Sequence, residues 1–455
     1  MSTIYEGLSG KLAQFIRNTR YEDLPEDVVE FTKLCILDWL SSALAGEKKP
    51  PVQMVASMVS ELGGNPQATL VTGEKTSAVN AALLNGAASH IVELDDIHKG
   101  SIIHAATVVV PAALAIGEWK HRSGKDLITA VAVGYDVCFR VGEAVSPSHY
   151  YFWHNTATCG TFGSAAAAAK LLGLNEEQII HTLGNAGTQA AGLWEFIEDG
   201  ANSKQLHTGK AAMNGVIAAL LAEKGFTGPS AILEGRRGFF EAMSENYNAS
   251  KITEGLGETF KITENSFKIH ASCRHTHPAI DLILDILNEQ AISAEEVGRI
   301  RVKTYQVALN ITDNDQPDTV YAAKFSLQYC TAMAFVKRSA GLFDFTEEAL
   351  TDRDILNMMK KVEVGVDPEI DAAYPEKWGA AVEVQLTNGT VIARKTDYPK
   401  GDPENPVTAE LVDKFRNMTK DRNADLMEEF IRRVLSLETM DDVSRFFVSR
   451  QGIAQ

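Results

Sequence analysis

Cysteine is scarce in this chain: five among 455 residues, at positions 35, 138, 159, 273 and 330, with no CxxC pair. Their odd number and wide spacing exclude a disulfide framework and a local iron–sulfur cluster, and they fit reduced thiols. Basic runs are missing too, since no more than two Lys or Arg are ever adjacent. With 43 basic against 60 acidic residues the net charge is −17. Such a surface repels phosphate backbones, so no nucleic-acid partner is expected. The longest apolar stretch, from Ala105 to Gly117, contains Pro111 and falls short of the about 20 residues that cross a bilayer. The opening MSTIYEGLSGKLAQFIRNTR has no leader-like apolar region, so the expected location is cytoplasmic, without a membrane partner. Repeats and low-complexity tracts are absent as well. What is there, 45% hydrophobic and 23% charged residues, is the composition of a globular protein, and the length predicts two or three domains.

The first 265 residues show little strand-like alternation and read as helix after helix. Leu24-Pro25-Glu26-Asp27 puts Pro and acids in a first turn, and VVEFTKLCILDWLSSALAG then keeps apolar residues at helical spacing until Gly46. Similar segments are SAVNAALLNGAASHIVEL, the Ala/Val-rich run from 105, DLITAVAVGYDVCFRVGEAV, GSAAAAAKLLGL and GKAAMNGVIAALLAEKG. Their many Ala and Gly residues predict helices packed with their backbones close. After about 266 the texture changes. IRVKTYQVAL alternates, VEVQLTNGTVIARKTDY sets Asn388-Gly389 between two alternating runs as in a hairpin, and HPAIDLILDILNEQ and FSLQYCTAMAFV are helical. The expected fold is mainly α with an α+β insert. An all-helical domain spans 1–265 and is completed by C-terminal helices over 400–455; a smaller α+β domain spans 266–399.

Four short segments carry candidate chemistry. Glu93, Asp95, Asp96, His98 and His104 gather carboxylates and imidazoles, which can shift one another's pKa and act as acid and base; a solvated, capped helix end is the alternative. Tyr150 to Thr156 leads His154 toward GTFGSA, where a helix start would suit an anion. No βαβ unit surrounds GTFGSA, so it is not a dinucleotide fingerprint, and His154 reads equally as a core histidine. Lys204 and His207 share a face if their segment is helical, and would suit a carboxylate-bearing substrate; an ordinary exposed lysine is the other option. KIHASCRHTHP crowds Lys268, His270, Cys273, Arg274, His275 and His277 together. His270, Cys273, His275 and His277 could ligate a metal, but Lys268 and Arg274 would repel a cation. A carboxylate-binding cluster is preferred, and no metal is expected. Tyr329, within FSLQY, is by itself more often core than catalyst.

In this order the motifs resemble those of the MmgE/PrpD family, which includes 2-methylcitrate dehydratase, cis-aconitate decarboxylase and iminodisuccinate epimerase. The resemblance covers nearly the whole chain. It begins at Leu24-Pro25 and Leu44-Ala45-Gly46 and continues through His90, Asp95-Asp96, His104, His154, Gly160-Thr161-Phe162-Gly163 and Lys204 to Gly209. It extends over Lys268, Cys273 to His277 and Phe325 to Tyr329, to Lys400-Gly401-Asp402-Pro403, Asn405-Pro406 and Lys414-Phe415. What it implies is a homodimer of a helical domain and an α+β lid, a site at their junction, and chemistry without metal or organic cofactor. Carried over by position, the catalytic set is Asp95, His104, His154, Lys204, Lys268 and Tyr329. Glu93, Asp96, His207, Arg274, His275 and His277 are the substrate-binding candidates. Two positions depart from the pattern: Glu93 replaces a common Asp, and Ala105 replaces the Pro that commonly follows the second histidine. In the decarboxylase a histidine stands near the position of Cys273, which points away from that activity.

The substrates so implied are polyanions whose reacting carbon lies beside a carboxylate. Charge that builds there needs cations aimed at that carboxylate. Lys204, Lys268, Arg274 and His275 suit this role, Arg through two-point contact. His104 and His154 are candidate proton carriers, and Tyr329 or a second histidine could protonate a departing hydroxyl. The expectation is a cofactor-independent lyase acting on a small tricarboxylate, with 2-methylcitrate dehydration, a step of propionate metabolism, as the preferred reaction. Alternatives are cis-aconitate decarboxylation and iminodisuccinate-type epimerisation. From other classes come a metal-dependent hydrolase using Cys273, His275 and His277, and a non-catalytic binding protein.

Overall fold

Close helix packing builds the first of two compact units in the structure, a computed structural model that describes residues 6–199 and 201–447. This unit runs to Ser266 and resumes at Thr419. Its longer helices are α1 (Leu8–Asn18), α2 (Glu26–Gly46), α3 (Pro50–Leu62), α4 (Ala78–His90), α5 (Ala106–Trp119), α6 (Gly124–Val145), α7 (Asn155–Leu172), α8 (Glu176–Gln189) and α9 (Ser203–Glu223). Helix α9 lies against α4 and α7, and α7 against α6. A Cβ on Gly209 of α9 would stand 2.3 Å from the Leu83 carbonyl of α4, and one on Gly163 of α7 would stand 2.7 Å from the Gly134 carbonyl of α6. Only glycine allows these approaches. Trp39, Tyr135, Phe139 and Phe162 fill the interior between them. Cys35, Cys138 and Cys159 are buried there, and burial pushes all three thiols up.

Two helix starts differ from the expected places, and both matter for the site. Helix α7 begins at Asn155, so GTFGSA lies inside it, where its N–H groups are spent on the helix and bind no anion. His154 stands at the cap of that helix. Helix α9 begins at Ser203, so Lys204 and His207 do share one helix, in its first two turns. Among the described residues, no helix is long and apolar enough to cross a membrane.

The second unit, Phe267–Met418, is α+β. In chain order it contains α10 (His277–Glu289), β1 (Val297–Thr304), α11 (Leu327–Lys337), β2 (Val362–Val366), β3 (Ala380–Leu386), β4 (Val391–Thr396) and α12 (Ala409–Met418). The strand order is β2-β1-β3-β4, with β1 and β2 parallel and the other pairs antiparallel. The hairpin expected at Asn388-Gly389 joins β3 to β4, and Gly389 supplies the left-handed residue at φ 90°. Ile300, Val302, Val382, Val384 and Ile392 are buried, as are Ile280, Ile283 and Ile286 of α10, the helix that packs on β3 and β4.

Residues 400–418, expected with the helical unit, fold with this one instead. The Lys400 N–H donates to Asp281 (2.8 Å), its ammonium pairs with Asp285 (2.7 Å), and the Phe267 N–H donates to the Gly401 carbonyl (2.8 Å). Arg274 clamps Asp402. These bonds outweigh the Pro/Gly-rich composition that makes GDPENP look like a connector. The chain returns to the first unit through α13 (Ala424–Leu435). Arg422 anchors it there, donating to the Leu44 carbonyl at the end of α2 and pairing with Glu47, each at 2.6 Å.

Candidate active site

Helix α4 ends at His90, and the chain from 91 to 105 doubles back to bring two acids and a second histidine beside it. Two non-glycine residues of this loop, Glu93 (φ 58°) and Ile102 (φ 56°), sit in the left-handed region, a conformation that costs about 1 kcal/mol or more and persists only where the surroundings hold it. Mutual backbone bonds between Ile97 and Ser266 (2.8 and 2.9 Å), and the His98 N–H on the Ile103 carbonyl (2.9 Å), do the holding. Asp96 is the internal anchor. Its fully buried carboxyl accepts from the Tyr135 hydroxyl (2.7 Å), the Asn265 amide (2.6 Å) and the Ala106 N–H at the start of α5 (3.1 Å). Burial and the nearby charge of Asp38 push it up to about 7. Asp96, grouped with the substrate-binding candidates from sequence, is thus placed to brace the loop, because both its oxygens are taken inside the fold.

Asp95 faces the other way, into a nest of imidazoles. Its Oδ2 lies 2.7 Å from His90 Nδ1 and 3.1 Å from His104 Nδ1. Burial alone would raise this carboxyl, but the two imidazoles outweigh it and hold Asp95 well below the usual carboxylate range. His104 Nδ1 is also 2.6 Å from the Asp96 carbonyl. A carbonyl can only accept, so His104 Nδ1 carries a hydrogen and Nε2 is the nitrogen left to exchange a proton. The His154 ring stacks on His90 with centroids 5.7 Å apart and packs 4.8 Å from Trp194. His154 Nδ1 lies 3.4 Å from Nδ1 of His207. Burial keeps His154 well below the ordinary histidine value and lowers His207 to about 4, with Lys204 adding to both shifts.

Lys204 closes the arrangement. Its ammonium bonds both oxygens of Glu93, at 2.6 and 2.7 Å, and its side chain is 18% exposed. His104 is 17% exposed, whereas His90 and Asp95 are fully enclosed. Solvent therefore reaches this cluster at His104 and Lys204, a proton carrier beside a cation. The donors fit a carboxylate-bearing ligand better than a metal. The ligand atoms of His90, Asp95 and His104 are close enough to hold an ion, but both Nδ1 hydrogens already bond the one Asp95 oxygen. In a second such group, His98, Glu143 and Glu264, the Lys261 ammonium already stands 3.2 Å and 3.1 Å from the two glutamates.

The second unit holds the remaining candidates. His270, Cys273, His275 and His277 do not converge on a common point: His270 bonds Asp281 (2.8 Å), His275 the Tyr305 hydroxyl (2.6 Å) and His277 the Ser272 carbonyl (3.2 Å). The hydrolase alternative, which needs Cys273, His275 and His277 on one ion, loses its site here. Arg274 is committed to Asp402 and the Phe267 carbonyl, so it holds the chain turn at 400 and is not a free clamp. His275 stacks on Trp378 at 4.7 Å, and burial lowers it to about 4; His277 is wholly buried. Lys268 is half-buried at the start of the unit. Tyr329 is 1% exposed on α11, and its hydroxyl has no hydrogen-bond partner among the described residues.

The model of the MmgE/PrpD N-terminal domain matches residues 10–251, more than half of the chain, and that of the C-terminal domain matches 270–438. The chain belongs to the MmgE/PrpD family. It is similar to a cis-aconitate decarboxylase of Aspergillus terreus, 27% identical over 97% of this chain and 96% of that protein. The cis-aconitate decarboxylase of Homo sapiens is 25% identical over 96% and 93%. A probable 2-methylcitrate dehydratase of Saccharomyces cerevisiae is 24% identical over 52% of this chain and 49% of that protein. These are names of enzymes, and an enzymatic role is what MmgE/PrpD membership supports here.

One residue of this cluster, His90, is not among the candidates that the sequence offers. His90 belongs to a motif that carries the resemblance but shows no role in the sequence, because it closes a helix whose other residues are mostly small or apolar. The available signal was its place five residues before Asp95, just beyond the end of a helix, where a short turn can fold the acid back onto it.

Proposed function

We propose that this chain is a lyase acting on a small tricarboxylate, and that it removes CO2 from cis-aconitate. The single observation carrying the choice of reaction is the full-length similarity to cis-aconitate decarboxylases, against half-length similarity to the probable dehydratase. It favours the alternative weighed from sequence over the preferred 2-methylcitrate dehydration. Cys273, which pointed away from decarboxylation, is one position against that similarity.

The chemistry asks for what the His104–Lys204 cluster offers. When the carboxylate on the CH2 arm leaves as CO2, the electron pair of that C–C bond forms a new C=CH2. The electrons of the old double bond move onto the CH carbon, whose own carboxylate takes up the developing charge. A proton added to that carbon gives itaconate. Lys204 would hold the charged carboxylate, exchanging Glu93 for substrate. His104, with Nδ1 fixed by Asp95 and the Asp96 carbonyl, would deliver the proton from Nε2. His154 and His207, kept neutral by burial, would line the site without adding positive charge. Lys268 and Tyr329 stay in the proposed set on the family resemblance.

Incubating the full chain with cis-aconitate in D2O containing a chelator, followed by NMR, tests the proposal. Itaconate carrying one deuterium, with release of CO2, is expected. Water loss from 2-methylcitrate with no reaction of cis-aconitate would move the assignment to the dehydratase. Inversion of iminodisuccinate without a new alkene would move it to the epimerase.

A further inference from the structure

We propose that His90 is a positioning residue: it fixes the Asp95 carboxylate on which His104 depends, by bonding the same oxygen that His104 bonds. The two Nδ1 atoms approach Asp95 Oδ2 at 2.7 and 3.1 Å. Asp95 Oδ1 is buried and has no hydrogen-bond partner among the described residues. Two imidazole N–H groups thus restrain a carboxylate that sits two residues after the strained backbone of Glu93. With His90 in place Oδ2 is held from two sides, and its negative charge is divided between two rings. Without it, His104 would have Asp95 to itself in an orientation nothing sets.

The His90 ring is held as a rigid strut. It is fully buried, with its edge against His104 (centroids 5.0 Å apart) and its face on His154 (5.7 Å). The charged and titratable groups around it are Asp95, Glu93 and His104 on the returning loop, His154 at the start of α7, and Lys204 and His207 on α9. Burial and the Lys204 charge lower His90 more than Asp95 and Glu93 raise it. A neutral His90 carries its one hydrogen on Nδ1, toward Asp95, and its buried Nε2 has no partner among the described residues. His90 therefore bonds the carboxylate and is no proton carrier.

The inference rests on the proposed role of His104 as the proton carrier, and its test separates the two. His90→Asn keeps an N–H near the place of Nδ1; His90→Gln moves it toward the place of Nε2. Imidazole NMR of the full chain reads the His104 titration without any substrate, and kcat and KM for cis-aconitate are measured across pH. For His90→Gln the His104 midpoint should rise by about one pH unit, since an ionised partner loses a competing hydrogen bond. Its kcat should fall at least tenfold with KM within about twofold, and His90→Asn should restore most of both. Equal loss in the two variants with an unmoved His104 titration would overturn the proposal, as would failure of both to fold, which would make His90 a core residue. If the wild-type chain leaves cis-aconitate untouched, the decarboxylase assignment fails, while the NMR titration still decides for or against His90.

Discussion

Replacing Lys204 by Met removes one ammonium and keeps the length of the side chain. In the proposed reaction that ammonium faces a carboxylate whose charge grows as CO2 departs. Two unit charges about 4 Å apart are worth ~4 kcal/mol at an effective dielectric near 20, and each ~1.4 kcal/mol is tenfold in rate. Turnover should therefore fall about a thousandfold, the upper end of what one preorganised donor supplies. Folding should hardly notice. The Lys204–Glu93 pair has side chains 18% and 49% exposed, and pairs of that kind contribute about 0–1 kcal/mol, so the melting midpoint should move by no more than about 2 °C. The assay is CO2 release from cis-aconitate alongside calorimetry of the same preparations. Turnover within threefold of wild type would refute the role of Lys204, and a midpoint lowered by about 5 °C or more would make the pair structural.

Acidification should destabilise the protein. Burial lowers His90, His154 and His277 and brings His149 and His275 to about 4, so the unfolded chain binds more protons than the folded one below about pH 6.5, and stability is lost as pH falls toward 4. Asp96 and Glu118, raised by burial to about 7, act in the opposite sense over the same range but are fewer; a melting midpoint that stays level or rises between pH 7.5 and 5 would contradict this. Gly209→Ala should cost about 1–3 kcal/mol, because the new methyl would stand 2.3 Å from the Leu83 carbonyl and two helix backbones must part; chemical denaturation would show it, and unchanged stability would mean that α4 and α9 are free to separate.

The elements set by local pattern were legible in the sequence. Apolar spacing and Pro25 located α2, and Asn388-Gly389 located the β3–β4 hairpin. The Ala/Gly content foretold the close packing seen at Gly209 and Gly163. Pattern did not locate features that depend on distant partners. The pairing of β2 beside β1 joins strands far apart in the chain. The allegiance of residues 400–418 depends on Asp281, Asp285 and Phe267, more than a hundred residues away. Within the site, Asp95 and Asp96 look alike in sequence. What separates them is which way each carboxyl faces: Asp96 toward Tyr135 and Asn265, Asp95 toward His90 and His104. Lys204 and Glu93, 111 positions apart, pair only because α9 packs on α4.

The sparse cysteines amount to a built-in set of reporters. Cys35, Cys138 and Cys159 sit inside the helical unit and Cys330 inside the α+β unit, all buried and all pushed up by that burial, so each is a thiol and not a reactive thiolate at neutral pH. An alkylating reagent can reach them only when the surrounding helices open. Mass spectrometry of labelled peptides would then time the opening of each unit separately, with three clocks in one and one in the other. Partly exposed Cys273 would mark the fast baseline. This readout needs no added probe, and it follows from how little cysteine the chain carries and where the fold has put it.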